Sequence, residues 1–187
     1  MLNMGGPADL SAVRPFLSNL FKDADLIQSN SFLLRNLMSR LIVNARSHRV
    51  TEQYKAIGGG SPILSWTDFQ GRKMTELLNS KLGHKYFFKH YVAFRYAHPG
   101  AKDALLKLKA DGVEHAIAFS QYPQYSCTTT GSSLNEIWRN LKTLELQNEF
   151  KWSLIDRWPT NEFFVGAVTE LIEEQLAKFD DPAKVLQ

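Results

Sequence analysis

Ala116-Ile117-Ala118-Phe119-Ser120 is a near-continuous apolar run of the kind found in strands covered on both faces. A helical stretch, Ala101 to Asp111, precedes it and is ended by Gly112. The run leads into Gln121-Tyr122-Pro123-Gln124-Tyr125-Ser126-Cys127 and then Ser133-Leu134-Asn135-Glu136, which has the spacing of a capping box opening another helix. Tyr91-Val92-Ala93-Phe94-Arg95 and Trp152-Ser153-Leu154-Ile155-Asp156 read as two further buried strands, and Leu2 to Met4 as a short one. Between them lie helical periods at Leu10 to Phe21 and Phe32 to Val43. A third helix is opened by Ser61 as cap and Pro62 as first residue, and the longest runs from Thr160 to Phe179. Strands alternating with helices predict an α/β protein with a parallel sheet flanked by helices. Ligands of such sheets bind at the carboxyl ends of the strands. Those ends read Gly5-Gly6-Pro7, Arg95-Tyr96-Ala97-His98-Pro99, Gln121 to Cys127, and Arg157-Trp158-Pro159-Thr160-Asn161. Tyr, Trp, Arg and small polar residues there suit a flat aromatic ligand with anionic groups.

The 187 residues are enough for one domain with a sizeable core. A net charge of +3 and 12% aromatic residues argue against disorder. No apolar run approaches the roughly 20 residues of a membrane span. Cys127 is the single cysteine, so no disulfide scaffold forms within the chain. The pI of about 8.9 is too mild to point to nucleic acid. Both ends read as incomplete elements. Residues 1 to 6 resemble the end of a strand and a turn, Asp180-Asp181-Pro182 closes a helix, and residues 183 to 187 lead towards another strand. A chain clipped at both ends is the expectation.

Local motifs leave alternatives open. Gly58-Gly59-Gly60-Ser61-Pro62 is either an anion cradle at a helix start or a tight turn between helices. Residues 35 to 55 carry Arg35, Arg40, Arg46, Arg49 and Lys55 against one acid, Glu52. They form a solvated face, or one that meets carboxylates or anionic lipid. Phe16, Leu17, Leu20, Phe21, Phe32 and Leu33 are helix core or an apolar lip at a membrane surface. Cys127 sits in a Ser/Thr/Gly-rich loop before a helix, where thiols become more acidic, but a single cysteine with no His close by in sequence favours an ordinary loop residue. None of the five histidines has metal-site spacing.

Several blocks taken together, and in order, have a specific pattern. They are Asn3-Met4-Gly5-Gly6-Pro7, Gln53-Tyr54-x-x-Ile57-Gly58-Gly59-Gly60-Ser61-Pro62, Phe94-Arg95-Tyr96, Phe119 to Asn135, and Ile155-Asp156-Arg157-Trp158-Pro159-Thr160. Along the whole chain the sequence resembles the N-terminal portion of a eukaryotic, mitochondrial-type ferrochelatase. That family inserts ferrous iron into protoporphyrin IX to make haem. The resemblance implies the chelatase fold, two Rossmann-like domains with the porphyrin between them. Residues 1 to 160 would be the first domain, incomplete at its N-terminus, and 161 to 187 a helix leading to the second.

The resemblance also assigns residues. Met4 would face the macrocycle, Arg46, Tyr54 and Ser61 would line the ring and its carboxylates, and Arg95, Tyr122 and Trp158 would build pocket wall. Leu20 and Phe21 would form the membrane lip. Cys127 matches one ligand of a [2Fe–2S] cluster whose other three ligands are absent here, so none is expected for this chain alone. Partners would be protoporphyrin IX, ferrous iron as substrate and a membrane surface, with a homodimer allowed and nucleic acid not expected. The location would be the matrix side of the mitochondrial inner membrane. Three departures stand out. Ala45 replaces a second Arg beside Arg46. Asn161 stands where some relatives have His. The family's S-A-H-S-L-P strand and the acidic residue that opposes its His are missing. No catalytic residue is therefore assigned to this chain. The resemblance leaves a non-catalytic porphyrin-binding fragment or isoform as the alternative. A nucleotide-binding domain is disfavoured for want of a phosphate fingerprint.

Overall fold

The computed structural model describes residues 1–27 and 32–179. The expectations for Asp180-Asp181-Pro182 and residues 183 to 187 lie outside them. In chain order the elements are β1 (Leu2–Asn3), α1 (Val13–Lys22), α2 (Phe32–Ala56), α3 (Ile63–Leu82), β2 (Ala93–Phe94) and α4 (Ala101–Ala110). They continue with β3 (His115–Phe119), a π-helical turn at Cys127–Gly131, α5 (Ser132–Thr143), β4 (Lys151–Ile155) and α6 (Glu162–Leu176).

Among the described residues all the strand pairings are parallel, as the alternation of strands and helices requires. β1 pairs with β2, in register Leu2 to Ala93. β3 pairs with β4, in register His115 to Lys151. A parallel bridge from Leu2 to Ser120 joins the two pairs, and Gln121 N–H donates to Leu2 O at 2.9 Å. The order across the layer is therefore β2, β1, β3, β4, which sets the short β1 at the centre.

One apolar core fills the space between the sheet and helices α4 and α5. It contains Leu2, Ala93, Leu105, Leu108, Ala116, Ala118, Ile137, Leu141 and Phe150. A second core sits between α1, α2 and the ends of β1 and β2, made by Val13, Phe16, Leu17, Val43 and Tyr96. Fully burying a side chain such as Leu105 contributes about 1.5–3 kcal/mol.

The structure corrects several expectations. β3 alternates rather than being buried throughout: Ala116, Ala118 and Ser120 are buried, but Ile117 is 49% exposed. β4 is an edge strand with Leu154 and Ile155 largely open. α2 does not stop at Val43. No Gly or Pro interrupts residues 44 to 56, so the helix runs on to Ala56. The capping box at Ser133 to Glu136 does not form. The chain is already helical from Cys127, and Glu136 pairs instead with Arg95 and Arg139. Ser61 lies one place outside the cap of α3, yet its Oγ still accepts from Ile63 N–H at 3.3 Å.

Candidate functional site

The first turn of the chain fixes the floor. Gly5 has φ +78°, and a Cβ there would meet Phe94 and Ala97 at 2.8 Å, so only glycine fits. Asn3 Oδ1 accepts from Met4 N–H at 2.7 Å, and Met4 O accepts from Tyr96 N–H at 3.1 Å. Met4 is thereby held at the carboxyl end of β1 against the second core. Leu20, Phe21 and Tyr54 pack on the same core. The Arg46 guanidinium lies over the Phe21 ring, 5.8 Å from its centroid, on the exposed rim. Burial raises the Tyr54 phenol above its ordinary pKa.

The glycine run is a turn between helices rather than an anion cradle. Gly58 N–H donates to Lys55 O, Gly59 N–H to Tyr54 O and Ser61 N–H to Pro7 O, which leaves none of these three donors for a ligand. Gly58 and Gly59 both have positive φ. A Cβ on Gly60 would lie 2.2 Å from Ala8 O, so the turn docks directly on the chain after β1. This contact brings Ser61 beside Gly6.

Tyr122 and Trp158 extend the surface along the ends of β3 and β4. Burial pushes the Tyr122 phenol up to about 12, with Ser133, the Met4 backbone and Arg95 pulling the other way. Trp158 Nε1–H donates to Ser120 O at 2.8 Å, its N–H donates to Pro123 O at 2.8 Å, and its ring meets Phe119 and Phe164. The structure thus gathers Met4, Tyr54, Leu20 and Phe21 round one core with Arg46 on its rim, Ser61 in the turn before α3 beside Gly6, and Tyr122 and Trp158 on adjoining strand ends.

Arg95 differs from the others. Its Nε donates to Ser132 Oγ at 2.8 Å, one terminal nitrogen meets Asp23 at 2.9 Å, and the other meets Glu136 at 3.3 Å. Each of its nitrogens is engaged inside the protein. Asp23 also accepts from Tyr96 Oη at 2.5 Å and Ser132 Oγ at 2.7 Å. Burial alone would raise the Asp23 carboxyl. The hydrogen bonds from Tyr96, Asp25 N–H and Ser132, with the Arg95 charge, outweigh it and hold the group below the ordinary carboxylate range. Burial, then the Asp23 carboxylate, raises the Tyr96 phenol. A hollow of about 430 Å³ opens beside this network, lined by Asn19, Lys22, Asp23, Ala24, Arg95, Glu136 and Arg139. It is a charged hollow, unlike a slot for a flat apolar ring. The network was not foreseen from sequence. Asp23 is its centre, 73 residues from Tyr96 and 109 from Ser132.

Asn161 is the N-cap of α6, its Oδ1 accepting from Phe164 N–H at 3.1 Å. Replacing it with Ala should cost about 1 kcal/mol, read as a lower urea midpoint, with Asn161→Asp retaining the wild-type value. Cys127 is exposed on the π-helical turn. A [2Fe–2S] cluster takes four thiolates. This chain carries one, so its residues alone do not make that site. Among the described residues no group of three or more His, Cys, Asp or Glu could hold a metal. None of the described helices is long and apolar enough to cross a membrane. α6 buries none of its side chains.

The family model described as ferrochelatase matches residues 1–187. A protein named "Ferrochelatase, mitochondrial" from Dictyostelium discoideum is 42% identical over 186 residues, covering 100% of this chain and 43% of the relative. Proteins of the same name from Gallus gallus and Homo sapiens are 45% and 44% identical over 179 residues, 96% of this chain and 44% and 42% of theirs. The chain thus spans less than half the length of the curated relatives it matches. Matched by the family model from end to end, and aligned along its length with these relatives, the chain belongs to the ferrochelatase family.

Proposed function

We propose that this chain forms one wall of the porphyrin slot of a ferrochelatase, a lyase that inserts Fe²⁺ into protoporphyrin IX. The observation that carries the reading is the clustering of Met4, Tyr54, Leu20 and Phe21 on one core, with Arg46 on its rim. Arg46 has no acid partner among the described residues, so its donors are available to a propionate carboxylate. Met4, Tyr122 and Trp158 would contact the ring face. Aromatic walls give contact area with little flexibility to lose. Arg95 acts as a positioning residue, because its charge is held by Asp23 and Glu136.

Insertion releases two pyrrole protons, and holding the ring off-plane points its nitrogen lone pairs at the metal. Asn161 is uncharged and its side-chain oxygen caps α6, so it takes no proton. His98 is exposed and paired with Asp103. The reading assigns proton acceptance to no residue of this chain. Residues 161 to 187 would lead to a second domain that closes the slot. By family resemblance Cys127 would supply one ligand of a [2Fe–2S] cluster, which needs three further thiolates that residues 1–187 do not contain. The names of the relatives support a mitochondrial location, and the reading extends it to the matrix side of the inner membrane, met through Leu20 and Phe21, with a homodimer as the assembly.

The alternative, porphyrin binding without insertion, is favoured by the commitment of Asn161 to its cap. The test is anaerobic insertion of Fe²⁺ or Zn²⁺ into protoporphyrin by the protein at its natural length, against a metal-only control. Saturable insertion supports the proposal. Saturable porphyrin binding without insertion selects the alternative, and neither binding nor insertion refutes both.

A further inference from the structure

A groove of about 280 Å³ runs between α1 and α2, lined by Arg14, Ser18, Lys22, Arg40, Val43 and Asn44. The spacing builds it. Residues 14, 18 and 22 recur every four places on α1, and 40 and 44 do the same on α2, so each set shares one helix face. Three cations line the groove and no acid does. Arg14 donates to the neutral amide oxygen of Asn44. Lys22 and Arg40 are exposed and have no ion-pair partner among the described residues. Lys22 also borders the hollow that contains Asp23 and Glu136, but Arg95 and Arg139 already hold those carboxylates.

The surroundings say what kind of anion would sit there. On α2, Arg40 and Asn44 continue a stripe begun by Leu33 and Leu37, at offsets of 0, 4, 7 and 11 residues. Leu33 is 79% exposed, and Phe32, Leu37 and Leu41 are also largely open. At 1.5 Å per residue, Leu33 lies about 10 Å along the helix from Arg40. Apolar groups that dip into a membrane interface reach about 5–10 Å into the headgroup/acyl boundary, and α2 would enter it by its end rather than lie flat. Leucines pushed to that depth would leave Arg40 at headgroup level, with Lys22 following the half-buried Leu20 and Phe21 on α1.

We infer that the α1–α2 groove binds the phosphate of an acidic phospholipid headgroup, through Arg14, Lys22 and Arg40, while the exposed end of α2 enters the acyl region. The inference rests on the membrane-lip reading of Leu20 and Phe21 given above. Charge complementarity selects an anionic surface, and the adjoining apolar stripe selects a lipid over a free phosphate.

The test is co-flotation of the protein at its natural length with vesicles of phosphatidylcholine alone, or with about one third phosphatidylglycerol. Wild type should partition roughly 100-fold more strongly to the anionic vesicles, as three basic residues near such a surface allow, and the preference should fall with salt. The triple variant Arg14→Gln/Lys22→Gln/Arg40→Gln should lose most of that preference while keeping its weaker binding to neutral vesicles. These side chains are exposed, so circular dichroism and porphyrin quenching should not change. Equal wild-type binding to both vesicles, or an unaltered preference in the triple variant, would overturn the headgroup site and leave the lip reading standing. Wild type that binds neither vesicle overturns both. Binding of glycerol 3-phosphate in solution, with no preference among vesicles, would make the groove a soluble-phosphate site and also overturn the inference.

Discussion

Asp23→Ala should lower the free energy of unfolding by about 3–5 kcal/mol, the usual cost of removing one partner from a buried charge pair. Asp23 is 6% exposed and accepts from Tyr96, Ser132, Asp25 N–H and Arg95. Without it Arg95 keeps only Glu136 among its acids, and the Tyr96 hydroxyl loses its acceptor. Urea denaturation reads the loss, and Asp23→Asn, which keeps an acceptor but no charge, should cost less. Acid should mimic the substitution. The folded carboxyl titrates below its ordinary range. Its stabilisation is therefore complete above the unfolded value of about 4 and disappears as pH falls through the lower folded value. Wild type should lose stability across that window, and Asp23→Ala should show a flatter profile there. An Asp23→Ala protein as stable as wild type at pH 7 would mean that the network is incidental.

Arg46→Ala should weaken porphyrin binding by about 1.5–3 kcal/mol, roughly tenfold to 150-fold, the range for hydrogen bonds to charged groups. The contrast with Arg95 makes the prediction specific. Arg95 is surrounded by acids and hydroxyls, whereas Arg46 rests on the Phe21 ring at the exposed surface. Arg46 is on the surface, so its loss should leave the urea midpoint near the wild-type value. Arg46→Lys should recover only part of the affinity, since an ammonium cannot bind a carboxylate through two parallel donors. Fluorescence titration with protoporphyrin reads the affinity, and an unchanged value would remove Arg46 from the site.

The strands were legible in the sequence because short apolar runs bounded by turn residues are a local signal. The run at residues 116 to 120 is displaced by one residue from β3, and that at 152 to 156 by one from β4. Their burial was less legible. An edge strand such as β4 and a strand buried on both faces can carry the same apolar composition, and only the layers packed upon them decide. Helix ends were misjudged where the apolar period ceased but helix-compatible residues continued, as after Val43, and where Ser and Thr masked a helical turn, as at Cys127–Gly131. The Gly5-Gly6-Pro7 and Gly58 to Pro62 turns could be read because their motifs are local, but only the partners of the N–H groups in the second decide between a cradle and a turn. The Asp23 network could not, since no spacing rule connects an aspartate to partners at 95, 96 and 132. Its presence gives the Arg95 charge partners inside the protein that the sequence does not announce.

Photo-oxidation by added protoporphyrin would report whether the ring lies against the strand ends. Illuminated protoporphyrin generates short-lived oxidants that attack nearby Met, Trp and Tyr side chains, and peptide mass spectrometry locates the damage. Oxidation should come early and saturably at Met4 and Trp158, both half-buried, with Tyr54 and Tyr122 following. Trp66 and Trp138, 59% and 51% exposed, should lag behind. Oxidation that follows exposure, with Trp66 and Trp138 damaged first and Met4 and Trp158 spared, would show that the porphyrin does not lie against the strand ends.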